Sequence, residues 1–414
     1  MQIFIFLFYL ILFCLLLRHY QFEKNTGLSA QWMLFLFILK VLAGVANMYI
    51  HFVMYVKNDV GFYHAQALQD LSMLSSDPVM FFKNWLFNWG SLQNAVDFTS
   101  HEAYLFYKDI GVQIHTKYMV LANIFSFGNP YVNVQFYNII FFIGQLYLYK
   151  SFYIQQPQKK WQLVIVIFLI PSVLFWNSGI HKDGWILAAF GFIFYSFYQF
   201  LKTRNRTYIV YFLLSCLLLL IVRYFYFISL FPLLLLWGIT YHKERKWVYY
   251  FVAFCVSFFL FFNIQKGIPA LNPMKMVQTR QAEFLNQIGY SDMRTPILKN
   301  NISSYIQNLP TAIDHIFFHP KLSTENPWKY NVSALDNYLI LLILLVSLIY
   351  LKKNNLQNSM YISLLFFAIS MYVFIGYTIP NCGALVRYKS EFTVLLLAVM
   401  ISMSEIPFLR IESN

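Results

Sequence analysis

The chain has 414 residues, of which 59% are hydrophobic and only 11% charged, and its formal net charge is +13. This excludes a soluble globular protein, because many apolar runs reach the roughly 20 residues needed to cross a 30 Å hydrocarbon layer. Nucleic-acid binding is also excluded as the reason for the positive charge, since lysines and arginines fall mainly in short loops between apolar runs, where membrane insertion places them.

In chain order, apolar runs predict spans over residues 2–17, 31–53, 131–153, 161–177, 184–201, 207–222, 224–240, 247–264, 337–351, 358–378 and 391–408. Each is expected to be a helix, because backbone groups in lipid need partners within their own segment. Residues 1–17 look like a signal-peptide core but lack a basic start and a small-residue cleavage site, so they read as a first span. The run 116–128 is short and is stopped by Gly128-Asn129-Pro130. It fits an interfacial, re-entrant or twelfth-span role. The expected fold is one all-α polytopic membrane domain over residues 1–414, with about eleven spans and a range of about ten to thirteen.

Four basic connections fall on the same side of an eleven-span chain: Lys150/Lys159/Lys160, Lys202/Arg204/Arg206, His242–Lys246 and Lys352/Lys353. The predicted side is the cytoplasm, which leaves the N-terminus outside and the C-terminus cytoplasmic. Two long polar segments, about 54–130 and 265–336, are then outer, and their mixed periodicity predicts short helices on the membrane surface.

The candidate chemistry collects on that outer side. Asp59, followed by Tyr63 and His64, lies just after the second span. A carboxylate facing a cavity there can act as a general base toward a sugar hydroxyl. The competing role is a helix cap, with Asn58 or Asp59 capping a helix through Ala65–Leu74. His181, Lys182 and Asp183 form a polar knot between two apolar runs. Lys182 suits a lipid phosphate, with Asp183 steering it, or the two form a structural pair at a helix start. His181 reads as a supporting hydrogen-bonder.

Arg223 sits at an expected tight hairpin between two spans, either on a phosphate or an acid, or snorkelling to headgroups. Arg387 is expected in a loop before the last span, where its forked donors suit a phosphate. Arg280 and Lys389 are further outer cations, and Lys40 reads as interhelical glue. The four cysteines are scattered and show no metal-ligand spacing. No Walker, dinucleotide-binding, HExxH or GxSxG motif is present, which argues against a nucleotide-driven pump and the common soluble hydrolases.

In the order of these features the chain resembles the C-type (GT-C) glycosyltransferase superfamily, polyprenyl-phosphate-dependent enzymes of the membrane. Phe175–Asp183, Leu309–Ala312 with His319-Pro320, and Gly383–Tyr388 resemble segments of multi-span Bacteroidetes membrane proteins grouped with these transferases. The resemblance implies hexosyl or pentosyl transfer to a glycan, lipid or protein acceptor, with an undecaprenyl-phosphate sugar as co-substrate. It implies a place in cell-envelope polysaccharide biosynthesis at the bacterial inner membrane. It also implies Asp59 as the catalytic carboxylate and Lys182 and Arg387 as phosphate-binding cations; Arg223 joins them on the reading above. The family's paired acid is absent, since Asn58 precedes Asp59, and the preceding span is the second rather than the first. Dependence on a divalent metal is left open. The alternatives are an O-antigen-type polymerase, in which Arg280 and Arg387 would dominate, and a transporter or flippase of lipid-linked sugars, which should show charged residues near mid-span, discontinuous helices and often a repeated half. Apart from Lys40 the expected span centres lack charge and the sequence shows no repeat, which places this last alternative below the enzymes.

Overall fold

The computed structural model describes residues 1–54, 58–87, 101–244, 246–268, 271–286, 291–324, 327–352 and 357–406, with the backbone alone at 86–87 and 101–108. Residues 88–100 of the first segment expected outside, Arg245 and Lys353 lie outside the described residues. The protein is all-α, with sixteen helices among the described residues. Seven are long and apolar enough to cross a membrane: α1 (Gln2–His19), α2 (Ala30–Met54), α9 (Lys182–Thr203), α10 (Arg206–Thr240), α11 (Lys246–Gly267), α14 (Trp328–Ile349) and α15 (Ser359–Thr378).

The remaining helices differ in instructive ways. The first segment expected outside forms α3 (Asp59–Ser76), α4 (Pro78–Phe87) and α5 (His101–Ser126). The short apolar run 116–128 is thus the end of a 26-residue helix. It is terminated by Phe127 and Gly128 with positive φ, and Asn129 caps α6 (Pro130–Tyr153). The expected span 161–177 is broken into α7 (Lys160–Val164), a π-helical turn (Ile165–Leu169) and α8 (Pro171–Trp176). Pro171 supplies no N–H and pushes Ile170 to extended backbone (φ −60°, ψ 124°). The side-chain amide of Gln145 donates to the Ile167 carbonyl within the π turn. The expected spans 207–222 and 224–240 run together as α10, with one non-helical residue, Arg223, at φ −153° and ψ 80°.

The second segment expected outside gives α12 (Pro273–Leu285) and α13 (Ile302–Phe318), and α14 starts well before the expected residue 337. The loop expected to carry Arg387 and Lys389 is instead the first part of α16 (Cys382–Met403). Asn381 caps that helix by accepting from Gly383 N at 3.0 Å and Ala384 N at 3.2 Å. Charged residues in its first turns hid the start from a hydropathy reading.

The chain divides into two compact units. In the first (Met1–Lys160, Ile167–Leu169, Leu174–Ile228) α6 and α9 cross in near backbone contact, since a Cβ on Gly191 would lie 1.8 Å from the Gly144 carbonyl oxygen. Small residues at a crossing allow this approach where lipid offers no hydrophobic drive. In the second (Trp161–Val166, Ile170–Val173, Ser229–Asn414) α12 is fastened by Gln281. Its amide donates to Tyr377 O at 2.8 Å and Pro296 O at 3.0 Å, and its carbonyl accepts from Leu298 N at 2.9 Å. Met274, Val277, Leu298, Tyr305, Ala312 and Tyr377 form the apolar cluster beneath it.

Candidate functional site

The knot between α8 and α9 is held by α2 and α6. Lys40, buried on α2, donates to Asn177 O at 2.7 Å and Ser178 Oγ at 3.4 Å. One and two turns further on, Gly44 leaves room for the Ser178 carbonyl and Asn47 donates to Phe175 O at 3.1 Å. Asn138 of α6 donates to Ser178 O at 2.8 Å. His181 shares a 2.9 Å hydrogen bond with Asn47 Oδ1, and its ring lies 4.7 Å from that of His51. His181 is therefore part of the fastening. Asp183, fully buried in the first turn of α9, occupies the position that the helix dipole favours for an anion.

At the start of α3, capping falls to Asn58. Its Oδ1 accepts from Gly61 N at 2.7 Å, and its Nδ2 donates to the His51 carbonyl at 3.0 Å. Asp59, the first helical residue, is exposed and lines an open cleft of about 620 Å³ between α3 and α5, together with Asn58, Phe62, Tyr63, Gln66, Asp109, Val112 and Gln113. Tyr63 is backed by a ring contact of 5.1 Å with His115, whose carbonyl accepts from Tyr137 OH at 2.9 Å. His64 is buried against Phe52 rather than in the cleft, and burial lowers its pKa.

Lys182 and Arg223 meet α5 from another direction. A Cβ on Gly111 would lie 2.9 Å from Val222 O, 3.1 Å from Ile221 O and 3.5 Å from Lys182 Nζ. Two residues are about 200° apart around a helix, so Gly111 faces away from the cleft-lining Asp109 and Gln113. The buried ammonium of Lys182 thus shares a spot with the carbonyls that precede the break at Arg223. Cations are favoured at such a helix end. Neither Lys182 nor Arg223 lines the cleft.

In the second unit, Arg280 pairs with Glu283 at 2.9 Å and lies over the Phe284 ring at 4.5 Å. Its guanidinium is 6.0 Å from the Tyr388 ring centroid, and that of Arg387 is 5.8 Å from the same centroid. Lys389 is buried and donates to Asn337 Oδ1 at 2.7 Å, Ile316 O at 3.2 Å and His319 O at 3.3 Å, so it closes the C-terminal end of α13. No group of three or more His, Cys, Asp or Glu side chains among the described residues is placed to hold a metal ion.

Asp109, Gln66, Gln113 and Phe62 were not anticipated. Asp109 lies fifty residues from Asp59, in a stretch with no apolar pattern to set its partner helix; only the i, i+4 spacing of Asp109 and Gln113 hinted at one shared face. A family model described as "Predicted membrane protein (DUF2142)" matches residues 137–379, more than half of the chain. The matched region contains Lys182, Arg223 and Arg280 but neither Asp59 nor Arg387. No curated protein and no solved structure shows a significant match.

Proposed function

The chain belongs to the DUF2142 family of predicted membrane proteins, and we propose that it transfers a sugar from a polyprenyl-phosphate-linked donor to an acceptor on the extracytoplasmic face. The observation that carries this reading is Asp59, exposed in a cleft beside a second carboxylate while its neighbour Asn58 does the capping. In the reaction Asp59 takes the proton of the acceptor hydroxyl, whose oxygen bonds to the anomeric carbon. The bond from that carbon to the phosphate oxygen breaks, and polyprenyl phosphate leaves with the electron pair. One displacement inverts the anomeric configuration. None of the described residues lining the cleft is a cation that could hold the leaving phosphate. Lys182 and Arg223 are the proposed cations of the same unit, and preorganised charges of this kind stabilise the charge growing on a leaving group efficiently.

The reading takes eleven crossings: the seven long apolar helices with α10 counted twice, together with α6, residues 160–176 and α16. It puts the cleft outside a bacterial inner membrane and the C-terminus in the cytoplasm.

The test is Asp59→Asn in protein reconstituted with an undecaprenyl-phosphate-linked sugar. Asparagine keeps the shape, so fold and donor binding should persist while transfer falls by roughly 10²–10⁴. Near-normal transfer would overturn the reading. One observation favours the polymerase alternative, namely that Arg280 and Arg387, both expected outside, lie close to the same Tyr388 ring. In that case Arg280→Ala with Arg387→Ala abolishes polymerisation and Asp59→Asn leaves it intact.

A further inference from the structure

We propose that α13 lies in the headgroup layer of the membrane, with a stripe of isoleucines in the lipid, and that Lys266, Lys275 and Lys299 gather anionic phospholipids around its first turns. All the residues concerned belong to the second unit, and none takes part in the proposed transfer.

Ring contacts fix the level of α13. Near its start the Tyr305 ring packs on Phe261 and Phe262 at 5.6 and 5.7 Å, in the last two turns of α11. The same ring lies 5.5 Å from that of Tyr377, in the last turn of α15, and the Tyr377 hydroxyl donates to the Tyr305 carbonyl at 2.5 Å. Both α11 and α15 are long and apolar enough to span, and both finish beside Tyr305. From Tyr305 to Phe317 α13 rises about 18 Å, whereas its partners on α15, from Tyr377 back to Tyr372, cover only about 7.5 Å. α13 therefore crosses the end of α15 steeply and does not run down beside it as a further span. The end of a span is where hydrocarbon gives way to headgroups.

The faces of α13 match that level. Tyr305, Ala312 and Ile316 are buried. Next to them Ile302, Ile306 and Ile313 are exposed and fall within about 40° around the helix. Ser303 and Gln307, also exposed, lie about 100° further round. Core, apolar stripe and polar strip follow in that order, as in a helix lying half in lipid.

Three exposed cations surround the same end. Lys266 is in the last turn of α11, and Lys275 follows Met274, whose carbonyl accepts from Tyr305 OH at 2.9 Å. The backbone N–H of Lys299 donates to Ser304 Oγ at 3.0 Å. The described acids of this region have partners: Glu283 pairs with Arg280 at 2.9 Å, Asp314 with Lys321 at 3.2 Å, and Asp292 accepts from Asn381 Nδ2 at 3.3 Å. A basic rim beside an apolar stripe is complementary to anionic headgroups, whose attraction adds to apolar anchoring.

The test uses the full chain in nanodiscs of phosphatidylcholine and phosphatidylglycerol. With the four cysteines replaced by alanine, spin labels are attached through Ile306→Cys, Ile313→Cys, Ser303→Cys or Gln307→Cys. Labels at 306 and 313 should be relaxed by oxygen, which concentrates in lipid, and those at 303 and 307 by a water-soluble nickel chelate. Native mass spectrometry counts retained lipids on the chain with its own cysteines, so this arm stands even if the cysteine-free background does not fold. Lys266→Gln, Lys275→Gln and Lys299→Gln together should lower the preference for phosphatidylglycerol by roughly a hundredfold, about fivefold per lysine. All three side chains are exposed, so no core packing is lost.

Labels that all meet the chelate equally, or all meet oxygen equally, contradict the level. An unchanged lipid preference in the triple variant contradicts the role of the lysines. Dipolar coupling between labels on separate chains would assign the stripe to a second copy. Loss of undecaprenyl phosphate with phosphatidylglycerol retained would assign the lysines to the donor lipid. Each of these results overturns the proposal.

Discussion

Asn58 and Asp59 divide the work at the start of α3: Asn58 closes the helix end and ties it to the last turn of α2, and Asp59 faces the cleft. One residue performing both tasks would have its carboxylate oxygens occupied by backbone N–H groups.

This division gives opposite outcomes for neighbouring substitutions. Asn58→Ala should lower stability by about 1 kcal/mol through loss of the cap, whereas Asp59→Asn should leave thermal unfolding unchanged. Paired melting curves of the purified full chain check this, and equal losses in both variants would mean that Asp59 shares the capping.

Lys182→Ala and Arg387→Ala should each weaken binding of undecaprenyl phosphate by roughly ten- to a hundredfold, as loss of a charge-assisted contact implies. Only Lys182→Ala should also destabilise the fold, because its buried ammonium packs against Gly111 where the Ile221 and Val222 carbonyls also approach. If Lys182→Ala melts early but binds the lipid phosphate normally, the ammonium serves the helix break alone.

Gly191→Ala should be costly. The added carbon would meet the Gly144 backbone carbonyl, and backbone cannot rotate away as a flexible side chain can. Overpacking of this kind costs roughly 1–3 kcal/mol or more. A variant as stable as the wild type in thermal unfolding would show that α6 and α9 do not pack this closely.

His315, buried on α13, has its pKa lowered first by burial and then by His319, with Lys321 adding to this; Asp314 and a bond to the Gly376 carbonyl act in the opposite direction. A histidine with a depressed folded value contributes stability that is present above its unfolded pKa, about 6.5, and is lost as pH falls through the folded one. Buried His64 has the same sign. Melting temperature should therefore fall between about pH 7 and 5. His315→Gln should flatten the slope in part, and addition of His64→Gln should flatten it further. A slope unchanged by both substitutions would assign the effect to other groups.

Most of the long helices were legible because an apolar run of span length has few alternatives in lipid. The exceptions share a cause. Pro171 breaks a run whose hydropathy is uninterrupted, and the charged start of α16 conceals a helix that Asn381 caps. Hydropathy reports burial in lipid and is blind to backbone hydrogen bonding. In the candidate site, Asp59 could be read from its place after a span. Asp109 could not, because the pairing of α3 with α5 depends on packing between elements far apart in sequence. Lys389 looked like a loop cation and is a buried helix closure, a role defined by carbonyls of Ile316 and His319 some seventy positions away.

The fastening of Lys40 also bears on how the protein is made. α2 enters the bilayer carrying a lysine that costs about 2.5–3.5 kcal/mol near the centre of a lone helix, and the carbonyl that receives it is 137 residues downstream. Until Asn177 has been synthesised and delivered, the early helix lacks the contact that makes its charge tolerable. The apolar residues of α2 offset that cost for insertion, so the contact matters for where the helix settles. α8 and the start of α9 fix its depth and rotation, and in chains truncated before residue 177 crosslinks from α2 to α6 should lose the pattern seen in the full chain.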